Sequence, residues 1–375
     1  MTPFDASTAF ELRLPSEGFL FAPGAVGRLG TAIAERGGWR VLVLLDGGVS
    51  AALSAPMRDT LSAAGLIAHI ETCHPGLATP NDLDDLRRMR RDGDYDTILA
   101  IGGGAVTDRG RLAAGVSRDD DGAAGLFIAA PTTAGTGVEA TDRVWVKESS
   151  AARHLTIRRG RRPDLLVFDP DVLAIGGTHA VGPAAAWLLC EALDGLFHPG
   201  TPPYARPLLR AAIGLVTRHA QNVVDDRSNG EARAALMTAN LLAVAGLSGS
   251  RLSPPGALAA VVAPRSKVHP GAMRAKIARY QIPRWRAGDP GAISDLAAAI
   301  ADDRRERHRS SLAGDVFDII TATLALLVPV GEQRPPSARE SERSSAVSDA
   351  LAMLASDGVQ AVDGERLLAL ARQAL

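Results

Sequence analysis

Cysteine is nearly absent from this chain of 375 residues: Cys73 and Cys190 are the two, far apart and without metal-type spacing. That excludes a disulfide framework and a cysteine-held metal centre as organising devices, and a reduced, cytoplasmic protein is the simplest expectation. Aromatic residues are also scarce, at 4%, as suits helices packed closely on small side chains. Charge of one sign is lacking too. A net charge of −1, with 22% charged residues, gives no electrostatic reason to expect nucleic acid or an anionic membrane as partner. No stretch reaches the ~20 apolar residues of a membrane span. The N-terminal MTPFDASTAFELRLP has neither a basic n-region nor an apolar h-region, so no signal peptide is expected.

What is present is enough apolar material, 46%, for real cores, and a length that permits two domains. The most informative stretch is Thr97–Thr141. Thr97–Ile101 reads as a short buried strand that breaks into Gly102, Gly103 and Gly104 before a helical pattern carrying Val106, Leu112 and Ala113. Glycines let backbone amides approach a phosphate, and a helix N-terminus offers unpaired N–H groups. Leu126–Ala130 repeats the logic as a strand, followed by the hydroxyl-rich loop Pro131-Thr132-Thr133-Ala134-Gly135-Thr136-Gly137. Two such loops at the carboxyl ends of adjacent parallel strands can hold a dinucleotide.

Around this stretch, Phe19–Phe21, Trp39–Asp46, Ile67–Glu71, Arg143–Val146 and Leu165–Phe168 read as strands, and Ala51–Gly65 and Asn81–Arg91 as helices. Asp46 ends a continuous apolar strand, where a carboxylate can accept hydrogen bonds from an adenosine ribose and repel a 2′-phosphate; an ordinary strand-end turn is the plainer alternative. Arg158, Arg159, Arg161 and Arg162 suggest either an anionic substrate or a surface turn. From about Val181 strand signals vanish, and Ala/Leu-rich helical periodicity takes over. Gly331–Ser345 reads as a polar, proline-bearing loop, followed by two short helices.

With its paired loops GGGAVTD and PTTAGTG and with Asp169-Pro170, the sequence resembles the iron-containing alcohol dehydrogenase family, whose fold is shared with dehydroquinate synthases and maleylacetate reductases. The resemblance runs from Phe19 to the C-terminus. It implies an α/β architecture: a Rossmann-like parallel-sheet nucleotide domain over residues 1–175, and an all-α helical domain over 176–375. It further implies an NAD cofactor and a homodimer paired through the N-terminal extended segment. In the cofactor half, Gly102, Gly103, Gly104, Asp108, Thr132, Thr133, Gly135, Thr136, Glu139 and Thr141 match the family pattern, while Ala105 replaces a serine and Arg111 a lysine. Trp145 joins the cofactor-binding candidates, and a further family lysine falls on His154, or on Arg153 if the turn differs by one residue.

The resembled enzymes hold a divalent metal with an Asp and a His at i and i+4 and with two further His residues. Here those positions are Ala184, Leu188, Leu241 and Pro255, the third being the least firmly aligned. None can coordinate a metal, so no metal is expected, and the four become candidates for the wall of a substrate pocket. Proton transfer without a metal then falls to histidine, with His154 and His198 as catalytic candidates. Tyr204, Asp194 and Arg251 are weaker ones, while His69, His219, His269 and His308 read as surface or packing residues. The expectation is a metal-independent NAD(H)-dependent oxidoreductase acting on a small carbonyl or alcohol, with neither nucleic acid nor a membrane as partner, in specialised metabolism. Its rivals are a non-redox cyclase, dehydratase or lyase on the same fold, and an inactive nucleotide-binding homologue.

Overall fold

The computed structural model describes residues 14, 16–115, 124–135, 139, 141–147, 155–176, 178–301, 315–329, 339–359 and 362–374, with backbone alone at 155–158, 178–179 and 301. These residues divide into two compact units, one within Leu14–Gly177 and one within Thr178–Leu375.

The first unit is a parallel sheet built from β1 (Gly18–Phe21), β2 (Arg40–Asp46), β3 (Ile67–Cys73), β4 (Thr97–Gly102), β5 (Leu126–Pro131) and β8 (Leu165–Phe168), in the order β1-β8-β5-β4-β2-β3. β2, β4, β5 and β8 are apolar almost without interruption because both of their faces are covered. Its helices are α1 (Leu29–Ala34), α2 (Gly47–Ala63), α3 (Pro80–Asp92), α4 (Gly104–Ala113) and the single turn α5 (Val172–Ile175). α2 starts at Gly47, four residues before the expected Ala51, because Asp46 caps it by accepting from the Gly48 amide at 2.8 Å. A hairpin of β6 (Arg143–Lys147) and β7 (Leu155–Arg159) forms a separate antiparallel pair. Val144 and Val146 of this hairpin pack with Ala78, Leu83 of α3 and Leu112 of α4.

The second unit is helical throughout its described residues: α6 (Thr178–Phe197), α7 (Ala205–Asp225), α8 (Gly230–Gly246), α9 (Pro254–Ser266), α10 (Pro270–Arg286), α11 (Pro290–Ala301), α12 (Val316–Leu327), α13 (Glu340–Ser356) and α14 (Gly364–Ala374). Small residues set its close contacts. A side chain at Gly182 would strike the Leu327 carbonyl, and one at Gly271 would strike the Pro183 carbonyl, so α12 and α10 press directly on α6. The window Ala180–Phe197 is long and apolar enough to cross a membrane, but 72% of it is buried within the unit, as in the core helix of a bundle. α13 begins inside the stretch expected to be loop, where Glu342 accepts from the Arg339 amide at 2.8 Å and caps the helix. The rest of that polar stretch, 331–338, lies outside the described residues.

Candidate functional site

The carboxyl edge of the sheet gathers the candidate cofactor residues. Gly102 and Pro131 end β4 and β5 in register, and the Thr132 amide donates to the Gly102 carbonyl at 3.1 Å, tying the two loops together. A side chain at Gly102 would begin 2.7 Å from the Val106 Cβ and 3.0 Å from the Asp46 Cβ, so glycine is required by the close approach of α4 and β2. Gly103 then caps α4, whose first turn, Gly104 and Ala105, leaves amides without an intrahelical partner. Among the described residues, a side chain at Gly103 would meet only Thr133, with its Oγ1 at 3.6 Å. That Thr133 hydroxyl is buried and has no hydrogen-bond partner. Amides at a helix start beside an unfilled hydroxyl make a cradle for a phosphate oxygen, so these residues fit a dinucleotide.

Asp46 reaches the same edge from β2 and is half-buried, with Oδ1 engaged by Gly48. Asp108 lies deeper in α4, and its Oδ2 accepts from the Trp145 amide at 3.2 Å, which docks the β6–β7 hairpin on α4. Its Oδ1 has no partner. Burial pushes the carboxyl up to about 7, opposed by Arg111 and by the Trp145 amide and reinforced by Glu139. Arg111 is fully buried and donates to the Thr141 carbonyl, while the Thr141 Oγ1 accepts from the Arg143 amide at 3.3 Å. Arg111 therefore supports the loop before β6, a task the sequence did not reveal. Thr136 and His154 lie outside the described residues.

The arginines expected to face either a substrate or solvent are engaged within the fold. Arg159 pairs with Asp142 at 2.5 Å, the buried Arg161 with Asp164 at 2.5 Å, and Arg162 donates to the Leu14 carbonyl at 2.9 Å. The Arg158 side chain is outside the described residues. A concavity of about 330 Å³ lies at the other edge of the sheet, lined by Glu17, Gly18, Arg36, Leu126 and Asp164, and holds none of the candidate residues.

In the helical unit, Ala184, Leu188 and Pro255 are buried and Leu241 is half-buried. Ala184 and Leu188 share one face of α6, and the start of α9 meets α6 one turn further on, where a side chain at Gly256 would lie 3.0 Å from the Glu191 Oε1. Methyl groups and a pyrrolidine ring carry no metal donor, so these four residues do not fit a metal. The charges of this region gather instead around Arg274 of α10, whose side chain is fully buried. It donates to Glu191 at 3.2 Å, to Gln281 at 2.7 Å and to Asp194. His198 is exposed just beyond α6, where its Nδ1 accepts from the Gly200 amide at 3.0 Å and closes a turn. Arg251 donates to the Asp357 carbonyl at 2.8 Å, and burial raises the Tyr204 hydroxyl above its ordinary value. Burial pushes the thiol of Cys73 up to about 11 and that of Cys190 to about 12, which disfavours their thiolates. Sequence reasoning passed over Asn240, fully buried beside Leu241 with neither amide atom partnered. The signal was there in an asparagine set within the apolar helix MTANLLAV.

Residues 16–170 match the sequence pattern of the iron-containing alcohol dehydrogenases. The chain is 30% identical over 186 residues to the phosphonoacetaldehyde reductase of Streptomyces viridochromogenes, covering 44% of this chain and 47% of that one. It is 27% identical over 253 residues to the 1,3-propanediol dehydrogenase of Klebsiella pneumoniae, covering 62% and 64%. The matched region thus spans less than two thirds of either relative. Among solved structures, an archaeal halo-thermophilic alcohol dehydrogenase from a Red Sea brine pool superposes with a TM-score of 0.79 at 19% identity, over 98% of this chain and 99% of that one. The maleylacetate reductase of Agrobacterium tumefaciens gives 0.76 at 17% identity, over 98% of both chains. The fold is therefore theirs along nearly the whole chain.

Proposed function

We propose, because residues 16–170 match the iron-containing alcohol dehydrogenases, that the chain is a member of that family and an NAD(H)-dependent oxidoreductase of a small carbonyl compound or alcohol that works without the family's metal. The observation that carries the reading is the pairing of the Gly103 cradle with the buried, unpartnered Thr133 hydroxyl. Gly102, Gly103, Gly104, Ala105, Thr132, Thr133 and Thr136 would hold the pyrophosphate, and Asp46 would take the ribose through the oxygen that Gly48 leaves open. Asp108, Thr141 and Trp145 position that loop system. When bound, nicotinamide would supply or accept the hydride. The protein's part is to orient the carbonyl, exclude water and exchange a proton: within the helical unit Ala184, Leu188, Leu241 and Pro255 are the candidates for an apolar wall, and within the α/β unit His154 remains the candidate for the proton. His198 spends its Nδ1 on a turn, which weakens its claim. The relatives' names, a reductase of an aldehyde and a dehydrogenase of a diol, support the substrate class. The apolar wall favours substrates with an apolar portion. An exposed Phe19 and Phe21 on the edge strand β1 support a homodimer joined there.

Calorimetric titration tests the cofactor assignment. NADH is expected to bind more tightly than NADPH, and Asp46→Gly is expected to narrow the gap about tenfold by removing the carboxylate that repels a 2′-phosphate. An aldehyde series of increasing chain length with NADH tests the reaction. Failure of both nucleotides to bind would favour the non-redox or inactive alternatives.

A further inference from the structure

Asn240 is fully buried in α8, and neither its Oδ1 nor its Nδ2 finds a hydrogen-bond partner. A side-chain amide offers two donors and an acceptor with two lone pairs, and buried polar groups left wholly unpaired are rare in native folds. Its place follows from the packing of three helices. Leu209 of α7 lies against Gly195 near the end of α6 and against Gly246 at the end of α8, whereas Val224, near the end of α7, lies against Gly182 near the start of α6. α7 is thus antiparallel to both, and α6 and α8 run parallel. Leu247, the residue after α8, places a methyl 3.0 Å from where a side chain at Gly195 would begin.

Seven residues make nearly two helical turns, rising ~10.5 Å and returning to the same face within ~20°. Two turns before Leu247 stands Asn240, and two turns before Gly195 stands Leu188. Asn240 is therefore set at the level of Leu188, on the side of α8 that turns toward α6. Leu188 is one of the four positions at which a metal ligand would have stood.

We propose that Asn240 is the specificity-determining anchor for the substrate oxygen on this wall, with Nδ2 donating to a carbonyl or hydroxyl oxygen and Oδ1 accepting from a hydroxyl. That this ligand is the substrate rests on the oxidoreductase reading; the burial of the unpaired amide does not. A neutral amide among apolar side chains favours an uncharged oxygen and disfavours a carboxylate or phosphonate at that end of the ligand, because nothing there offsets the desolvation of a charge. The ligand class is a neutral aldehyde, ketone or alcohol whose apolar chain lies along Leu188.

The test compares the wild type with Asn240→Leu, using 1-hexanol as the probe of binding and hexanal with NADH as the probe of turnover. Removing an unpaired amide should raise the thermal midpoint of the ligand-free protein by several degrees and abolish the midpoint shift caused by hexanol. The kcat/KM for hexanal should fall about tenfold or more, the size expected when a hydrogen-bonded ligand oxygen loses its partner, while the Kd for NADH stays unchanged. An unchanged or lowered midpoint in the variant, a hexanol shift that survives the substitution, or no shift in the wild type would each overturn the proposal. Should the wild type reduce no aldehyde while the midpoint and hexanol results hold, the oxidoreductase reading fails and the anchor stands.

Discussion

Around the glycine loop of the α/β unit, polar atoms are buried with their bonding unfilled: the Thr133 hydroxyl, the Thr107 hydroxyl and one oxygen of Asp108. Along α6 of the helical unit the pattern is reversed, with Ala184 and Leu188 buried on an apolar face and the nearby charges satisfied among themselves around Arg274. A fold that leaves hydroxyls and a carboxylate unpaired gives up stability that a ligand can return on binding. One that pairs its charges internally leaves little for a charged ligand. The family pattern is matched over residues 16–170, within the α/β unit.

Breaking the charge cluster should have the largest effect on stability and should fall on the helical unit alone. Arg274→Met leaves Asp194 and Glu191 mostly buried without their cation, and a cost of about 3–5 kcal/mol is expected in urea unfolding, with NADH affinity unchanged. A loss below about 1 kcal/mol would mean that the cluster holds nothing together.

Filling the cradle should reverse that outcome, sparing the fold and harming the ligand. Among the described residues, a side chain at Gly103 meets only Thr133. Gly103→Val is therefore expected to raise the Kd for NADH at least about tenfold, ~1.4 kcal/mol, with a small change in thermal midpoint. Unaltered affinity would move the phosphate elsewhere.

A third effect is confined to the pH dependence and concerns Asp108, whose carboxyl has an ordinary value of 3.8 and is pushed to about 7 in the fold. Between these values the folded state holds a proton that the unfolded chain has released. The stability Asp108 contributes is fully present below about pH 4 and is lost as pH rises through about 7. Asp108→Asn, which keeps an acceptor for the Trp145 amide, should flatten the decline of unfolding free energy across that window, and equal slopes in both proteins would contradict the assignment.

Much of this contrast was legible in the residues themselves. The apolar runs of β2, β4 and β5 and the glycine triplet located the sheet and its carboxyl edge, because buried parallel strands and phosphate loops have strong local signatures. The identities of Ala184, Leu188 and Pro255 gave the expectation of no metal. Tertiary roles were hidden: Arg111 looked like a substituted lysine until its burial beneath Thr141 was visible, and Asp46 proved to cap α2 from the end of its strand. Asn240 lay within an apolar helix, and only the parallel packing of α6 and α8 gave it a level. The start of α13 was missed because its capping contact is local to Arg339 and Glu342, within a stretch whose composition resembled a loop.

The central claim, that the nucleotide chemistry was retained while the metal was given up, is tested most directly by measuring aldehyde-dependent NADH oxidation after exhaustive chelation, and again after adding back ferrous iron or zinc. An unchanged rate in all three preparations is predicted. Activity lost on chelation and restored by either metal would contradict it.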